Sequence, residues 1–158
     1  MKFKMAEQFE IMRFGILPFR YLQEFENQVS KKHIVIGYRT PAVKYPEIKY
    51  SQNCVDHMEV GVHDIHLQDI DAWNQRGGVV FTNQNAQEII NFVEKNRNKM
   101  NLVVCQCDAG ISRSSATAAA LSFIYNGDDS WVFDNRKYSP NELIYNTILA
   151  KVGISDEI

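Results

Sequence analysis

Cys107 and Arg113 are separated by five residues in the run Val103-Val104-Cys105-Gln106-Cys107-Asp108-Ala109-Gly110-Ile111-Ser112-Arg113-Ser114. A β-branched run delivers the cysteine into a short turn, and a small-residue helix begins at the arginine. Main-chain N–H groups of such a turn can converge on an anion, and the helix start behind it adds the positive end of a dipole. Oriented donors and a nearby cation favour the thiolate of Cys107. The planar fork of Arg113 matches two phosphate oxygens. A sulfur nucleophile beneath a phosphate-shaped cradle points to phosphoryl transfer through a cysteinyl-phosphate.

A plain buried thiol would account for Cys107, but not for Gly110 and Arg113 at these positions. Gly110 suits an ordinary turn and equally a close backbone approach to an anion. Arg113 opens a run of small residues, Ser114 to Ala120, fit for close helix packing, so a solvated surface role is the poorer account.

The elements that position this loop alternate between strand and helix. Phe14 to Leu17 reads as a short strand, and Pro18 opens a helix to about Val29 with Leu22, Phe25 and Val29 on one face. His33 to Gly37 is a buried strand, residues 39 to 53 a long loop, and Val55 to Leu67 one or two strands broken near Gly61. Thr82 or Asn85 starts a helix to about Asn98, with Ile89, Phe92 and Val93 as its apolar stripe. Leu102 to Cys105 is a central strand and Arg113 to Tyr125 a buried helix. Asp128 or Asp129 caps a short helix to about Arg136. Ser139-Pro140-Asn141-Glu142 reads as a capping box with proline at the first helical position. The expected fold is α/β, one domain over residues 1–158, with a mainly parallel central sheet flanked by helices on both faces. Ligands of such sheets sit beyond the carboxyl ends of the strands, where the Cys107 loop falls.

Cys-x5-Arg followed by Ser, after a strand and before a helix, resembles the signature loop of the cysteine-dependent protein tyrosine phosphatase superfamily. The short chain and the motif's position past its middle look most like the compact dual-specificity type. Tyr138-Ser139-Pro140-Asn141 is similar to a segment of small bacterial and phage phosphatase-like proteins. The specific part of the likeness covers about residues 103 to 123. It implies a phosphomonoester hydrolase with Cys107 as nucleophile. Arg113 and the N–H groups of Asp108, Ala109, Gly110, Ile111, Ser112 and Arg113 would then hold the phosphate, and the Ser114 hydroxyl would assist the departing thiolate. It also implies a general acid, an aspartate just after a strand some tens of residues before the cysteine. Ile65-His66-Leu67-Gln68-Asp69-Ile70-Asp71 has that placement. Alternation puts Ile65 and Leu67 on the core side and Asp69 in line with them, with Asp71 second and Asp64 behind both. The family usually has His before the nucleophile, whereas Gln106 stands here and carries no proton charge.

Trp73 to Gly78 reads as a flap, and Trp73 as a residue of the pocket rim. Tyr38 to Tyr50 reads as a pocket wall, with Arg39 and Lys44 as secondary anion contacts. His57, His63 and His66 fit surface positions better than a metal site, and the chemistry needs no metal or other cofactor. Cys105 is expected in the core. Cys54 has no evident partner, and either thiol is a candidate to trap an oxidised Cys107. The 158 residues, 45% hydrophobic and 23% charged, are those of a soluble globular domain. A formal net charge of -2 gives no reason to expect nucleic acid or anionic membrane as partner. The expectation is a cytoplasmic monomer acting on a phosphorylated protein or small phosphomonoester. The alternatives are a catalytically weak phosphate- or phosphoprotein-binding module and, disfavoured by the motif's position, sulfur or arsenate chemistry on a similar loop.

Overall fold

The apolar runs of the sequence become the middle of a parallel sheet. The computed structural model describes residues 11–154. Strands β1 (Arg13–Pro18), β2 (His33–Tyr38), β3 (Cys54–Val60) and β4 (Leu102–Cys107) align all-parallel in the order β1-β4-β2-β3. The two inner strands are buried on both faces, which is why both read as nearly unbroken apolar runs. Successive residues alternate between two cores. Ile34, Ile36, Tyr38, Val103, Cys105 and Cys107 face the larger one. Val35 and Val104 join Leu22 in the smaller one.

Helices α3 (Asn83–Asn96), α4 (Arg113–Asn126) and α6 (Glu142–Lys151) supply the larger core. Helix α1 (Leu22–Gln28) and the tract before β3 cover the other face. The small side chains of Ser115, Ala116, Ala118, Ala119 and Ala120 are all buried and let α4 lie close to its neighbours. Gly127 ends it at a left-handed φ of 78°, its N–H bonded to the Phe123 carbonyl. The fully buried Tyr38 hydroxyl meets Thr117 Oγ1, so the end of β2 is tied to the start of α4.

The parallel sheet with helices on both faces is the expected architecture, and several boundaries differ. Pro18 ends β1 rather than opening a helix; a 3-10 turn at Phe19–Tyr21 intervenes before α1. Strand β3 stops at Val60, and the chain leaves the sheet at Gly61. Thr82 is the cap of α3, in a reciprocal box with Asn85. Asp129 precedes α5 (Ser130–Phe133), and Asp128 Oδ1 accepts from Ser130 N and Oγ. Asn141, not Ser139, caps α6: its Oδ1 accepts from Ile144 N at 3.0 Å, so Pro140 lies before the helix. Trp73 to Gly78, expected as a flap, is a helix end and a hydrogen-bonded turn. Helix α2 (Ile70–Gln75) is closed by a turn in which Gly78 N bonds the Trp73 carbonyl and a Cβ on Gly78 would meet Trp73 at 2.8 Å. Among the described residues no helix is long and apolar enough to cross a membrane.

Ile148 is fully buried where α6 meets the rest of the main core. Ile148→Ala is expected to cost about 2–5 kcal/mol, read from urea unfolding. A loss well under about 1 kcal/mol would mean that this face of α6 is not closely packed.

Candidate active site

Strand β4 carries Cys107 to the carboxyl end of the sheet, between β1 and β2, and the chain turns at once into α4. The turn is built from behind. Phe19 N donates to the Asp108 carbonyl (3.3 Å), Ser139 N to that of Ile111 (3.0 Å) and Asn141 N to that of Ser112 (3.1 Å). Ser115 Oγ also donates to the Ile111 carbonyl. With these carbonyls engaged by the scaffold, the N–H groups of the same three peptide units, those of Ala109, Ser112 and Arg113, point the opposite way. Among the described residues, those of residues 109 to 112 make no hydrogen bond within the chain. Gly110 sits at φ 70°, and a Cβ there would lie 2.7 Å from Pro18 N. Both the backbone angle and the contact require glycine.

Cys107 Sγ lies 3.0 Å from Ser114 Oγ, both buried. Arg113 is 6% exposed. Its Nη1 donates to the Val62 carbonyl (2.8 Å) and Thr40 Oγ1 (2.9 Å), and its Nη2 to Asp108 Oδ2 (3.2 Å). Asp108 Oδ2 also accepts from Thr40 Oγ1 at 2.7 Å, and its Oδ1 from Tyr45 OH at 2.6 Å. Burial pushes the Asp108 carboxyl up. The bonds from Tyr45 and Thr40 and the Arg113 guanidinium outweigh it and hold the group below the ordinary carboxylate value.

The tract after β2 does form a wall beside the loop, through Thr40 and Tyr45. Arg39 makes no hydrogen bond to residues 108 to 113 and is engaged beside them. Its guanidinium lies over the rings of Phe19 (5.0 Å) and Tyr45 (5.2 Å), and Nη1 donates to the Tyr38 carbonyl and Gln106 Oε1. Gly37 makes room for this contact, since a Cβ there would sit 2.7 Å from both Arg39 Nη1 and Gln106 Oε1. Gln106 is fully buried, and its Nε2 has no hydrogen-bond partner among the described residues. Arg39, Tyr45, Tyr50, His57 and Glu59 line a neighbouring cavity of about 330 Å³; Lys44 is exposed and is not among its lining residues.

Among the described residues Asp69 and Asp71 make no hydrogen bond to the loop. Asp69 ends an exposed 3-10 turn, and Asp71 is exposed on α2. Alternation fails because β3 ends before Ile65: Ile65 is buried, but Leu67 is 43% exposed. Asp64 is the aspartate that reaches the loop. Its Oδ1 accepts from Ser112 Oγ and Asn141 Nδ2, both at 2.8 Å, and Asn141 Nδ2 also donates to the Ile65 carbonyl. Both bonds use Oδ1, leaving Oδ2 without a partner among the described residues. Trp73 is half-buried and stacks on His63 beside Asp64 (4.9 Å). His63 Nδ1 accepts from Val79 N, and His57 pairs with Glu59.

Cys105 is fully buried, and burial raises its thiol. Cys54 cannot trap an oxidised Cys107. It lies beside His33, which lies beside Leu102, five residues back along β4 and so about 16 Å from Cys107.

No family model and no curated protein matches the chain. Solved structures do. A mouse chain described as a dual specificity phosphatase, solved with zinc tungstate, is 14% identical with a TM-score of 0.57, covering 85% of this chain and 79% of the mouse one. The fold is that of the cysteine-dependent phosphatases. A human tyrosine phosphatase-like serine/threonine/tyrosine-interacting protein is 15% identical with a TM-score of 0.56, covering 87% of this chain and 89% of its own. At such identities the likeness lies in the backbone path of the phosphatase fold.

Asp108 bears on stability. A carboxyl lowered by folding contributes in full above its ordinary value of about 3.9, and the contribution is lost as pH falls through the lowered value. Asp108→Asn is therefore expected to lower the urea midpoint at neutral pH, with the gap to wild type closing in acid. A gap that persists at low pH would mean packing rather than charge.

Proposed function

We propose that the chain hydrolyses phosphomonoesters through a covalent phosphate on Cys107, a phosphorylated protein side chain being the substrate class. The carrying observation is the 3.0 Å Cys107 Sγ–Ser114 Oγ contact, set in a loop with unengaged N–H groups and closed by the buried Arg113. A phosphate-binding turn alone has no use for a hydroxyl against the sulfur.

In the first step Sγ attacks phosphorus and the bond to the ester oxygen breaks. The inward N–H groups and the Arg113 fork hold the equatorial oxygens, which requires Arg113 Nη2 to exchange Asp108 for phosphate. Tyr45 and Thr40 keep Asp108 hydrogen-bonded while it does so. Asp64, anchored through Oδ1 by Ser112 and Asn141, delivers a proton from Oδ2 to the leaving oxygen. In the second step Asp64 takes a proton from water, which attacks phosphorus. The S–P bond breaks, and the Ser114 hydroxyl donates to the sulfur that departs. Phe19 and Tyr45, in edge contact at 5.0 Å, and the 42% exposed Ile111 offer an apolar rim suited to an aryl ring. This favours phosphotyrosine over the aliphatic phosphoamino acids.

One observation favours a binding module instead: the Arg113–Asp108 ion pair puts a carboxylate on the phosphate-binding fork. Turnover separates the two readings. Wild type is expected to hydrolyse an aryl phosphate, Cys107→Ser to have no activity, and Arg113→Ala to lose both phosphate binding and turnover. Asp64→Asn is expected to lower kcat about 10²–10⁴-fold and to remove one limb of the pH profile, while Asp69→Asn and Asp71→Asn stay within about twofold of wild type. Phosphate or vanadate binding without turnover would establish the binding module. Loss of the limb in Asp69→Asn instead would return the acid to Asp69.

A further inference from the structure

At the opposite end of the sheet from Cys107, three potential metal ligands converge from three elements. Glu26 lies on α1, His33 begins β2 and Cys54 begins β3. One ligand atom from each, with all three within 4.8 Å of one another, makes a compact set. The side chains of Glu26 and His33 are fully buried, and Cys54 is half-buried.

The hydrogen bonds around the group are arranged as a ligand set requires. His33 Nδ1 lies 2.8 Å from the Lys31 carbonyl. A carbonyl only accepts, so Nδ1 carries the hydrogen and Nε2 is the nitrogen that faces the group. Nε2 lies 2.7 Å from Glu26 Oε2, while Glu26 Oε1 accepts from Ser51 N at 2.9 Å. The His33 and Glu26 side chains are thus each oriented by an outer partner on the far side, the pattern of histidine and carboxylate ligands in metal sites. Cys54 Sγ donates to the Asp56 carbonyl at 3.3 Å, a hydrogen bond given up when the thiol ionises. One proton bridges Nε2 and Oε2, two atoms that would otherwise face each other as acceptors.

The backbone adds an independent observation. The β2–β3 register slips at this point: His33 is opposite Cys54, whereas Ile34 is opposite Asp56. The irregularity leaves Val55 out of the pairing and sets Cys54 beside His33. Bulges are uncommon in parallel pairs, and they re-aim a side chain where they occur.

We propose that Glu26, His33 and Cys54 bind a thiophilic divalent cation, zinc foremost, with water as fourth ligand, as a staple joining α1, β2 and β3. A thiolate, an imidazole and a carboxylate suit zinc rather than magnesium or calcium. Tetrahedral zinc bonds of about 2.0–2.3 Å hold ligand atoms about 3.3–3.6 Å apart, so the 2.7 Å Nε2–Oε2 contact must open by roughly 0.7 Å. Charge balances: the proton shared by His33 and Glu26 and the one on the Cys54 thiol leave as one dication enters.

Cobalt(II) serves as the spectroscopic probe and zinc as competitor, using the full chain as wild type, Cys54→Ser, Cys54→Ala and Cys107→Ser. One cobalt per chain is expected, with a thiolate-to-cobalt charge-transfer band and intense tetrahedral bands. These should survive Cys107→Ser, vanish in both Cys54 variants and be bleached by one equivalent of zinc. Zinc is also expected to raise the Tm of wild type and Cys107→Ser but not of the Cys54 variants. The proposal is overturned by a spectrum without a thiolate band, by one that persists without Cys54, or by one that needs Cys107. None of these readouts depends on phosphatase activity.

Discussion

A peptide chain presents its carbonyls and N–H groups in opposite directions, and an anion can be held by backbone only where every carbonyl is turned away from it. In the loop after Cys107 three carbonyls, those of Asp108, Ile111 and Ser112, are bonded from outside by Phe19, Ser139, Ser115 and Asn141. The donors come from the end of β1, from α4 and from the approach to α6. The sheet order, the proline that ends β1 and the late start of α6 all serve to bring those donors to one loop. Gly110 is the single residue with φ and clearance to let the loop pass over Pro18.

Charge in this bowl is shared rather than left open. Arg113 is almost wholly buried, and its donors are met by the Val62 carbonyl, Thr40 and Asp108. A buried guanidinium without such partners would be costly, so the acidic residue after Cys107 stabilises the cation. On the proposed function the same bond would oppose phosphate entry, because the incoming anion would have to replace a carboxylate. Thr40 and Tyr45 would lower that barrier, since their hydroxyls keep Asp108 hydrogen-bonded without Arg113. Gln106 answers a different constraint. With no ring to place, the end of β4 bonds instead to Arg39, which spans the Phe19 and Tyr45 rings and fixes the wall that carries Thr40.

The sequence made legible what is local along the chain. Cys107, Gly110, Arg113 and Ser114 fall within one turn and the helix after it, so their types and spacing carry the geometry. The alternating strands and helices likewise announce the sheet. What escaped is what tertiary structure brings from afar. Thr40 and Tyr45 reach Asp108 across 68 and 63 residues, and Asn141 reaches Asp64 across 77. The place of Asp64 was hidden by one assumption, that alternation runs on to Leu67. The strand instead ends at Val60, and beyond it parity predicts nothing. Glu26, His33 and Cys54 were invisible as a group because an irregular register, which no residue pattern announces, sets Cys54 beside His33.

The central claim, that Cys107 carries the phosphate, is tested most directly by trapping. Acid quench of the chain during turnover of an aryl phosphate, followed by peptide mass spectrometry, is expected to find phosphate on the peptide containing Cys107. Ser114→Ala should raise its occupancy, since the sulfur would leave more slowly. Continued turnover with no phosphate on Cys107 in either protein would contradict the account.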